Sequence, residues 1–302
     1  MTAQITTVCA VIVCFHPDPQ ALQQLVDNLQ PDVQTIWLVN NGPQPLAGPW
    51  PASVKQVQCS GNLGVAGAIN FGFDQAFAQG ADAVIGFDQD SLPPPGLVEQ
   101  LRCAWNAIQQ KQPQNRLAAI GPAPQDKDTG HMLHTFAPYN WRRRRLTPTM
   151  GKSLVVDHLI TSGCLISRAA WQDIGPNNEG LFIDWIDVEW CGRARHMGYH
   201  LLMDGSVILP HRIGQKSGGI LGRKFHVHSP FRHYFVLRNA MQLFRDSRFP
   251  LGWRTHHILY AIRVIVANLI WAPERSSRLA HVVRGLRDGW AGRTGPQGQV
   301  PD

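Results

Sequence analysis

The sequence predicts an α/β fold with a mixed, mainly parallel sheet, helices on both of its faces, and a helical region towards the C-terminal end. Residues 8–15 are continuously apolar and short enough for a buried parallel strand. Residues 19–29 follow, and their leucines and valine recur at the helical period. Strand and helix patterns then alternate as far as residue 110, which is typical of a parallel sheet with helical crossovers.

Two of the predicted strands in this alternation are followed by polar turns. One turn consists of Asn40, Asn41 and Gly42, and the other follows the strand that ends at Phe87. Because ligands bind beyond the carboxyl ends of the strands in such sheets, both turns should face one crevice. The predicted strands are residues 35–39, 54–57 and 83–87, and the predicted helices are residues 67–79 and 97–110.

The second half of the chain has shorter strand patterns and then a long helical region. Its predicted strands are residues 154–156, 159–160, 162–167, 199–203 and 207–209, and its predicted helix is residues 184–198. From residue 229 the pattern is helical and rich in arginine. We therefore expect three parts: an α/β domain over residues 1–228, a helical region over residues 229–292, and a disordered tail over residues 293–302.

Composition narrows the class of protein without naming its ligand. The 302 residues are 44% hydrophobic and 16% charged, and the net charge of +7 suits an anionic substrate, an anionic membrane surface or nucleic acid. None of the six cysteines forms a CxxC pair, so we expect reduced core residues in a cytoplasmic protein. No signal-peptide pattern opens the chain, and no apolar run reaches the about 20 residues that span a bilayer.

Two acids follow the predicted strand at residues 83–87. Asp88 and Asp90 are two residues apart in extended chain, so their side chains should point the same way. Like charges placed together are costly unless a positive group lies between them. A divalent cation that holds a diphosphate would meet this need, although two acids in a loop after a strand are a common pattern by themselves.

A second acidic cluster lies among bulky apolar residues. Asp184, Asp187 and Glu189 fall within residues 182–190, beside Trp190 and other large apolar side chains. A carboxylate in such surroundings is partly desolvated, which makes it a better base. We predict that Asp184 caps the helix and that Asp187 is the chemical group.

Three further residues have a chemical and a structural interpretation each. His211 follows a strand and is a candidate third ligand to the cation, although a lone histidine is more often structural. Lys216 lies in a glycine-rich segment that either closes on a phosphate or is a plain surface loop. Arg238 could form a forked contact with a diphosphate, or could face solvent on its helix.

Taken together, these motifs resemble the GT-A glycosyltransferases of family 2, and most of all their bacterial rhamnosyltransferase branch. The resemblance covers roughly residues 8–245, and the ordered series is far more specific than any single motif. The segments that carry it are Asn40 to Gly42, residues 61–70, Asp88 to Asp90, residues 161–166, residues 182–190 with Arg193 and Gly198, and Arg238 with Asn239.

The resemblance implies a role for each matching position. It implies donor binding by Asn40, Asn62, Gly67, Asn70, Asp88 and Arg238, with Mg²⁺ or Mn²⁺ held by Asp88, Asp90 and His211. It implies that Asp187 is the general base, with Asp184, Glu189, Trp190, Lys216, Tyr234 and Asn239 as further candidates around the site. Two positions depart from the family pattern: Asn40 replaces the usual base-reading aspartate, and Ile186 replaces the first acid of the Glu-Asp pair.

The implied function is metal-dependent, inverting glycosyl transfer in cell-surface polysaccharide synthesis. The favoured donor is dTDP-L-rhamnose, the acceptor is a glycan or a polyprenyl-linked glycan, and no nucleic-acid partner is expected. UDP-galactofuranose is the alternative donor, and a non-catalytic sugar-nucleotide-binding module is the alternative class. A dinucleotide-dependent oxidoreductase is disfavoured because no GxGxxG follows the first strand. The arginine- and tryptophan-bearing helices after residue 229 either lie peripherally on the inner face of the cell membrane or cap the catalytic domain.

Overall fold

The computed structural model describes residues 4–127, 129–139, 144–211, 216–220, 223–226 and 229–297. The chain divides into two compact units, each described here by itself. The sheet unit comprises Met1–Glu179, Asp187–His211 and Gln297–Asp302, and the helical unit comprises Gly180–Ile186 and Arg212–Pro296.

The elements alternate along the first half of the chain as the sequence predicts. In chain order they are β1 (Val8–Cys14), α1 (Pro19–Leu29), β2 (Thr35–Asn40), β3 (Val54–Gln58), α2 (Gly64–Ala78), β4 (Ala83–Asp88), α3 (Leu97–Lys111) and β5 (Leu117–Asp126). There follow β6 (Thr135–Phe136), β7 (Arg145–Leu146), β8 (Ser153–Val155), β9 (Cys164–Ser167), α4 (Arg168–Ile174), α5 (Ile186–His196) and β10 (His200–His211). The helical unit contains β11 (Lys216–Ile220), β12 (Arg223–His226), α6 (Pro230–Arg245), α7 (Leu251–Trp271) and α8 (Arg275–Trp290).

Helix α1 shows how local sequence sets the boundaries of an element. The Asp18 carboxylate accepts hydrogen bonds from the backbone N–H groups of Gln20 and Ala21, and Pro19 occupies the first turn, where no donor is needed. The apolar residues at the helical period, from Leu22 to Leu29, are all buried. The predicted boundaries of this helix, residues 19–29, are therefore confirmed.

The main sheet of the described residues has eight strands in the order β3-β2-β1-β4-β9-β5-β10-β8. The pairs joining β3, β2, β1 and β4 are parallel, as is β5 with β10, whereas β9 and β8 run antiparallel to their neighbours. This is the mixed, mainly parallel sheet that the sequence predicts.

Helices cover both faces of this sheet because side chains alternate along each buried strand. In β1, Ala10 and Ile12 belong to the same core as α1 and α3, whereas Cys9 and Val11 belong to the core that contains residues of α2, α4 and α5. Every position of β1 thus packs on one layer or the other, which explains its continuously apolar sequence.

The strand register brings the two polar turns to the same edge of the sheet. Cys14 of β1 lies opposite Asn40 of β2, and Val13 lies opposite Asp88 of β4. The parallel strands therefore end together, and the turns after Asn40 and Asp88 emerge side by side at their carboxyl ends.

Several predicted elements of the second half differ in the structure. The expected strand at residues 159–160 is irregular, and the two expected strands at 199–203 and 207–209 form one strand, β10, with a register shift between Asp204 and Ile208. Helix α4 was missed, although Ser167 caps it by accepting a hydrogen bond from Ala170 N. The differences among the strands arise because pairing with distant strands decides where a strand forms, and local periodicity does not report that pairing.

Two helices of the helical unit approach closely at a glycine. A Cβ atom built on Gly285 of α8 would lie 2.5 Å from the carbonyl oxygen of Tyr234 in α6, so only glycine allows this approach. Beyond α8, the Gly295 N–H donates to the Gly180 carbonyl at 2.8 Å, and the Gln242 side chain donates to the Arg293 carbonyl at 2.5 Å. Within the expected disordered tail, Arg293 and Gly295 are thus held by hydrogen bonds.

Five of the six cysteines are buried free thiols, as expected of reduced core residues, but Cys103 is exposed on α3. Burial raises the pKa of the Cys14 thiol to about 12, so this group stays neutral. Among the helices in the described ranges, none has both the length and the apolarity to cross a membrane.

Gly72 of α2 provides a test of how tightly the helix packs on the sheet. A Cβ at this position would lie 2.5 Å from Val11 Cγ1 and 2.7 Å from Val39 Cγ2, which both belong to buried strands. We expect Gly72→Ala to lower the free energy of unfolding by about 1–3 kcal/mol through overpacking, measured by urea denaturation. Gly61→Ala is the control, since its Cβ would meet nothing within 4 Å. Equal stability of the two variants would contradict this packing.

Candidate active site

The turn after β4 is held by backbone hydrogen bonds, and its two carboxylates are exposed. The Asp88 N–H donates to Ser162 Oγ at 3.3 Å, and the Ser91 N–H donates to the Asp88 carbonyl at 3.0 Å. The hydroxyls of Ser91 and Ser162, both buried, lie 2.5 Å apart. Asp88 and Asp90 themselves are exposed. The two predicted carboxylates therefore lie on a fixed turn that a ligand can reach, and Ser162 is a positioning residue whose role the sequence analysis missed.

Gln89, between the two acids, connects this turn to the end of β1. Its Oε1 accepts a hydrogen bond from Phe15 N–H at 2.7 Å, and its Nε2 donates to the Phe15 carbonyl at 3.1 Å. The next residue, His16, has a φ of 48°, in the left-handed region. The side-chain amide thus pairs with the backbone as a neighbouring strand would, and it fixes the position at which the chain turns away from the sheet.

A cavity of about 270 Å³ lies beyond the ends of β1 and β2. Its walls come from the segments after these strands, and they include His16, Pro17, Gly42, Gln44 and Leu46. It is larger than the cavity of about 30 Å³ beside Phe73 and the cavity of about 90 Å³ beside His158. Its place at the carboxyl end of the parallel strands is where nucleotides bind in such sheets.

Asn40 shapes the rim of this cavity. Its Nδ2 donates to the Gln44 carbonyl and to Gln58 Oε1, both at 2.7 Å, and its Oδ1 accepts from Gly42 N–H at 3.2 Å. The amide is 3% exposed. Both of its donor hydrogens are therefore used inside the chain, and the carbonyl oxygen retains a second lone pair.

The predicted donor-binding residues at the start of α2 form a network with Asn41. Asn41 Oδ1 accepts from Leu63 N–H at 2.8 Å, and its Nδ2 donates to Asn62 Oδ1 at 3.1 Å. Asn62 Oδ1 also accepts from Gly64 N–H at 2.9 Å. A Cβ on Gly67 would lie 2.9 Å from Leu63 Cβ, so the first turn of the helix requires glycine there. Asn41 was not predicted as a site residue, although it lies in the motif itself.

Asn70 is a scaffold residue, which corrects its expected role as a donor ligand. It is 3% exposed, and its Nδ2 donates to the Asn177 carbonyl and to Glu179 Oε1, both at 3.0 Å. Its Oδ1 accepts from Asn177 N–H at 2.9 Å and from Asn177 Nδ2 at 3.1 Å. With all four bonds made inside the chain, Asn70 positions residues 177–179 and has no capacity left for a nucleotide.

Asp187, in the first turn of α5, borders a small apolar cleft. The half-buried Asp187 accepts a hydrogen bond from Val188 N–H at 2.8 Å. The cleft holds about 30 Å³, and its other lining residues are Ile69, Phe73, Leu159, Ile160, Thr161, Cys164, Ile166, Asn177, Trp190 and Cys191. Burial raises the pKa of both Cys164 and Cys191, so their thiols are neutral and the wall of the cleft is apolar apart from its polar rim.

Glu189 and Trp190 support the helix that carries Asp187. The Arg193 Nε donates to the Glu189 carboxylate at 2.9 Å, and Glu189 is only 2% exposed. Arg193 also donates to the carbonyls of Ile174 and Pro176, each at 2.7 Å. Trp190 Nε1 donates to the Gly175 carbonyl at 2.9 Å. Both candidates therefore fix the segment after α4 against α5, which is a positioning role.

Asp184 does not cap α5, contrary to the prediction. The helix begins at Ile186, and Asp184 has a φ of 65°, whereas an N-cap residue has extended backbone. In the helical unit its carboxylate is instead bound by the Arg232 guanidinium, with Nε at 3.0 Å and Nη2 at 2.7 Å. The acid that was predicted to cap the helix is therefore one partner of an ion pair with Arg232.

Arg238 and Asn239 form a buried network in the helical unit, which corrects the expectation that Arg238 binds a diphosphate. Arg238 Nη2 donates to the carbonyls of Gly180 at 2.8 Å and Leu181 at 2.9 Å, and Nη1 donates to the Gly295 carbonyl. The side chain is 0% exposed, and this burial lowers the pKa of the guanidinium. A forked donor that is already bound to main-chain oxygens cannot also grip a substrate.

Asn239 and Tyr234 are likewise enclosed. Asn239 Nδ2 donates to the carbonyls of Leu181, Ile183 and Asp184 at 2.8–3.0 Å. The Tyr234 hydroxyl donates to Asp288 at 3.1 Å, and both side chains are buried. Their polar groups are thus bound inside the helical unit, which does not favour their expected role as candidates around the site.

The last two predicted residues are described only by their main chains. His211 ends β10, where it lies opposite Asp126 of β5, and Lys216 begins β11. Their side chains lie outside the described part of the structure. Among the side chains that are described, no group of three His, Cys, Asp or Glu residues is arranged to hold a metal ion.

Comparison with known proteins gives one relative over almost the whole chain. The protein is 29% identical over 299 residues to the dTDP-rhamnosyl transferase RfbF of Shigella flexneri, covering 96% of this chain and 97% of that protein. No family model matches the sequence.

Solved structures with the same fold include GalNAc-T7 and TarS. The crystal structure of GalNAc-T7 with UDP, GalNAc and Mn²⁺ has a TM-score of 0.56 at 15% identity; the match covers 89% of this chain but only 58% of that one. Residues 1–349 of TarS from S. aureus have a TM-score of 0.54 at 10% identity, with 94% and 81% covered, and TarS with UDP-GlcNAc has a TM-score of 0.53.

The sheet order, the polar turns at the carboxyl ends of its strands, and the match to a rhamnosyl transferase along the whole chain agree with one another. They support the resemblance drawn from the motifs: the chain is a glycosyltransferase that uses a nucleotide sugar, it has the GT-A fold, and it is similar to a dTDP-rhamnosyl transferase.

Proposed function

We propose that the protein transfers L-rhamnose from dTDP-L-rhamnose to a hydroxyl group of a glycan, free or polyprenyl-linked, in cell-surface polysaccharide synthesis. The observation that carries this proposal is the 29% identity to a dTDP-rhamnosyl transferase over 96% of the chain. The proposed acceptor would place the enzyme at the cytoplasmic face of the membrane. UDP-galactofuranose remains the alternative donor, and a screen of nucleotide sugars read by nucleotide release distinguishes the two.

The nucleoside and the diphosphate of the donor are proposed to bind at two neighbouring positions. The cavity beyond β1 and β2 is proposed to take the nucleoside, with the rim fixed by Asn40 and the turn at His16 fixed by Gln89. The diphosphate would then lie towards Asp88 and Asp90, on the neighbouring strand end. Pre-formed walls of this kind reduce the ordering cost of binding.

The carboxylates of Asp88 and Asp90 fit a Mg²⁺ or Mn²⁺ ion. Both are exposed on a turn that two buried serines hold in place, and hard divalent cations prefer such oxygen ligands together with substrate phosphates. His211 is proposed as a third protein ligand. When bound, the cation would offset the negative charge of the departing diphosphate.

Asp187 is proposed as the general base. Its carboxylate would accept the proton of the acceptor hydroxyl while that oxygen forms a bond to the anomeric carbon. The bond from this carbon to the diphosphate oxygen breaks on the opposite side, and its electron pair leaves with the nucleotide. Inversion follows from this single displacement. The place of Asp187 at the mouth of a cleft, in a helix fixed by Glu189 and Arg193, supports this role.

The cleft beside Asp187 supports a 6-deoxy sugar as the transferred group. Its volume of about 30 Å³ is on the scale of a methyl group, and most of its lining side chains are apolar. A hydroxymethyl group placed there would lose its hydrogen bonds to water without gaining a full set from the protein. We propose that the cleft takes the C6 methyl group of the rhamnosyl residue.

The role of Asp187 is tested by Asp187→Asn, which keeps the shape of the side chain and removes the base. We expect turnover to fall by at least about 100-fold while the dissociation constant of the donor stays nearly unchanged. Transfer is followed by nucleotide release, and donor binding by calorimetry. Asp74→Asn, at an exposed position of α2, is the matched control and should keep full activity. Near-normal turnover of Asp187→Asn would exclude Asp187 as the base.

The role of the acidic turn is tested by the double variant Asp88→Asn/Asp90→Asn. In the native protein we expect manganese to strengthen dTDP binding, measured by calorimetry, and EDTA to abolish transfer. The double variant should bind dTDP equally weakly with and without manganese, because the oxygen ligands of the cation have lost their charge. Asp74→Asn again serves as the control. Transfer that survives both EDTA and the double substitution would refute a metal site at this turn.

The methyl pocket is tested by Ile160→Ser, at the half-buried rim of the cleft. We expect the native enzyme to prefer dTDP-L-rhamnose over its 6-hydroxy counterpart, dTDP-L-mannose, by about 10–100-fold in kcat/KM. Ile160→Ser should narrow this preference, because its hydroxyl offers the extra oxygen a partner. Val155→Ser, outside the cleft and 43% exposed, should leave the preference as it is. An unchanged ratio in Ile160→Ser would mean that C6 lies elsewhere.

A further inference from the structure

The outward faces of α7 and α8 in the helical unit are apolar, where a surface helix would normally be polar. Eleven of the fifteen large hydrophobic side chains that are exposed in the described residues belong to these two helices. Their exposed fractions range from 44% to 66%. Such a concentration on one pair of helices differs from the singly scattered apolar residues of an ordinary surface, and it marks an interaction site.

The exposed residues form a stripe along each helix. On α7 the stripe is Leu259, Ile262, Val266 and Ile270, and on α8 it is Leu279, Val283, Leu286 and Trp290. The steps of three and four residues keep each stripe on one side of its helix. We call these eight residues the outer stripes.

The other sides of both helices are already packed. Ala261 and Ile265 of α7 are buried, as are Arg278 and Gly285 of α8, and α8 approaches α6 so closely that a side chain at Gly285 would collide with it. The outer stripes are therefore not the core-facing sides of these amphipathic helices. They are second apolar faces, and packing within the helical unit gives no reason for them.

Charge indicates what covers the outer stripes. Residues 229–297 contain eleven arginines, no lysine and only three acids, whereas the rest of the chain has seventeen basic and eighteen acidic residues. The whole positive surplus of the protein thus lies in this segment. Arg263 and Arg284 are exposed next to the stripes, whereas the acid of α8, Asp288, is buried and bound by Tyr234, Arg287 and Arg293.

We propose that the outer stripes bind an anionic lipid bilayer, with their apolar side chains inserted at the level of the headgroups and the arginines paired with lipid phosphates. Exposed Trp271 and Trp290, at the C-terminal ends of their helices, suit the membrane interface. A second copy of the chain is disfavoured, because a two-fold contact would bring the same positive surfaces together. The inference deepens the lipid-linked acceptor proposed above, but its test does not depend on the donor or the reaction.

The test is sedimentation of the full chain with vesicles. We expect binding to vesicles of equal parts phosphatidylcholine and phosphatidylglycerol, little binding to pure phosphatidylcholine, and weaker binding as salt screens the charges. Equal binding to both vesicle types, or binding to neither, would overturn the proposal. Because this measurement needs no sugar nucleotide, a negative result for vesicle binding can be distinguished from a negative result for glycosyl transfer.

Surface variants assign the binding to these helices. Arg263→Gln/Arg284→Gln should weaken binding to the mixed vesicles about fivefold for each arginine removed, and Val283→Ser/Leu286→Ser should weaken it by about tenfold or more. Matched controls in the sheet unit are Lys111→Gln/Lys152→Gln for charge and Met150→Ser for an exposed apolar residue. All these positions are exposed, so folding should be preserved, as circular dichroism would verify. Equal losses in variants and controls would overturn the assignment.

Tryptophan fluorescence separates a lipid contact from self-association. Brominated lipid in the mixed vesicles should quench the native protein, and Trp271→Phe/Trp290→Phe should remove most of this quenching while vesicle binding persists in part. Sedimentation equilibrium without lipid should give a monomer. A dimer that Val283→Ser/Leu286→Ser dissociates, together with no quenching, would show that a second copy covers the outer stripes and would overturn the proposal.

Discussion

The parallel pairing of β1 with β2 on one side and β4 on the other is the constraint on which the site depends. This register ends the three strands together, so two short polar turns, each unremarkable in sequence, become neighbours at one edge of the sheet. The amide of Gln89 then fixes the turn after β1 to the turn after β4 through both hydrogen-bonding groups of Phe15. Strand pairing and the two hydrogen bonds of Gln89 together determine the positions of the two turns, and these turns form the walls of the crevice.

Much of the polar sequence that resembles a glycosyltransferase site forms hydrogen bonds inside its own unit. Asn41, Asn70 and Glu189 make their hydrogen bonds within the sheet unit, and Arg238 with Asn239 does the same within the helical unit. A buried polar group must find partners, and Asn41 and Asn70 find theirs in the segments at residues 62–64 and 177–179. The exposed acids Asp88 and Asp90 differ from them because their backbone is held while their carboxylates reach the surface.

The sequence predicted the first half of the fold within a few residues, because period and turn residues are local signals. Helix α1 and strand β4 follow from such signals alone. The sequence alone could not distinguish residues that bind the substrate from residues that support the structure. Asn70 bonds to Asn177, 107 positions away, and Arg238 bonds to Gly180, 58 positions away. A motif shows that a residue type belongs at a position, whereas burial decides whether it touches the substrate. The prediction that Asp184 caps a helix was wrong for a related reason, since its ion pair with Arg232 depends on a helix much later in the chain.

The segment before Asp187 has a consequence for how this protein can change over time. Phe182, Asp184 and Trp185 all have positive φ angles between 63° and 68°, and non-glycine residues in this region each cost about 1–3 kcal/mol. The carbonyl bonds from Arg238 and Asn239 offset this cost. A substitution at either residue would therefore let the segment relax to ordinary backbone. A loss of activity in such a variant would then report a backbone change just before Asp187, and would not by itself make either side chain a substrate contact. Sequence variation should thus be tolerated less at Arg238 and Asn239, which are both 0% exposed, than at exposed positions of the same unit.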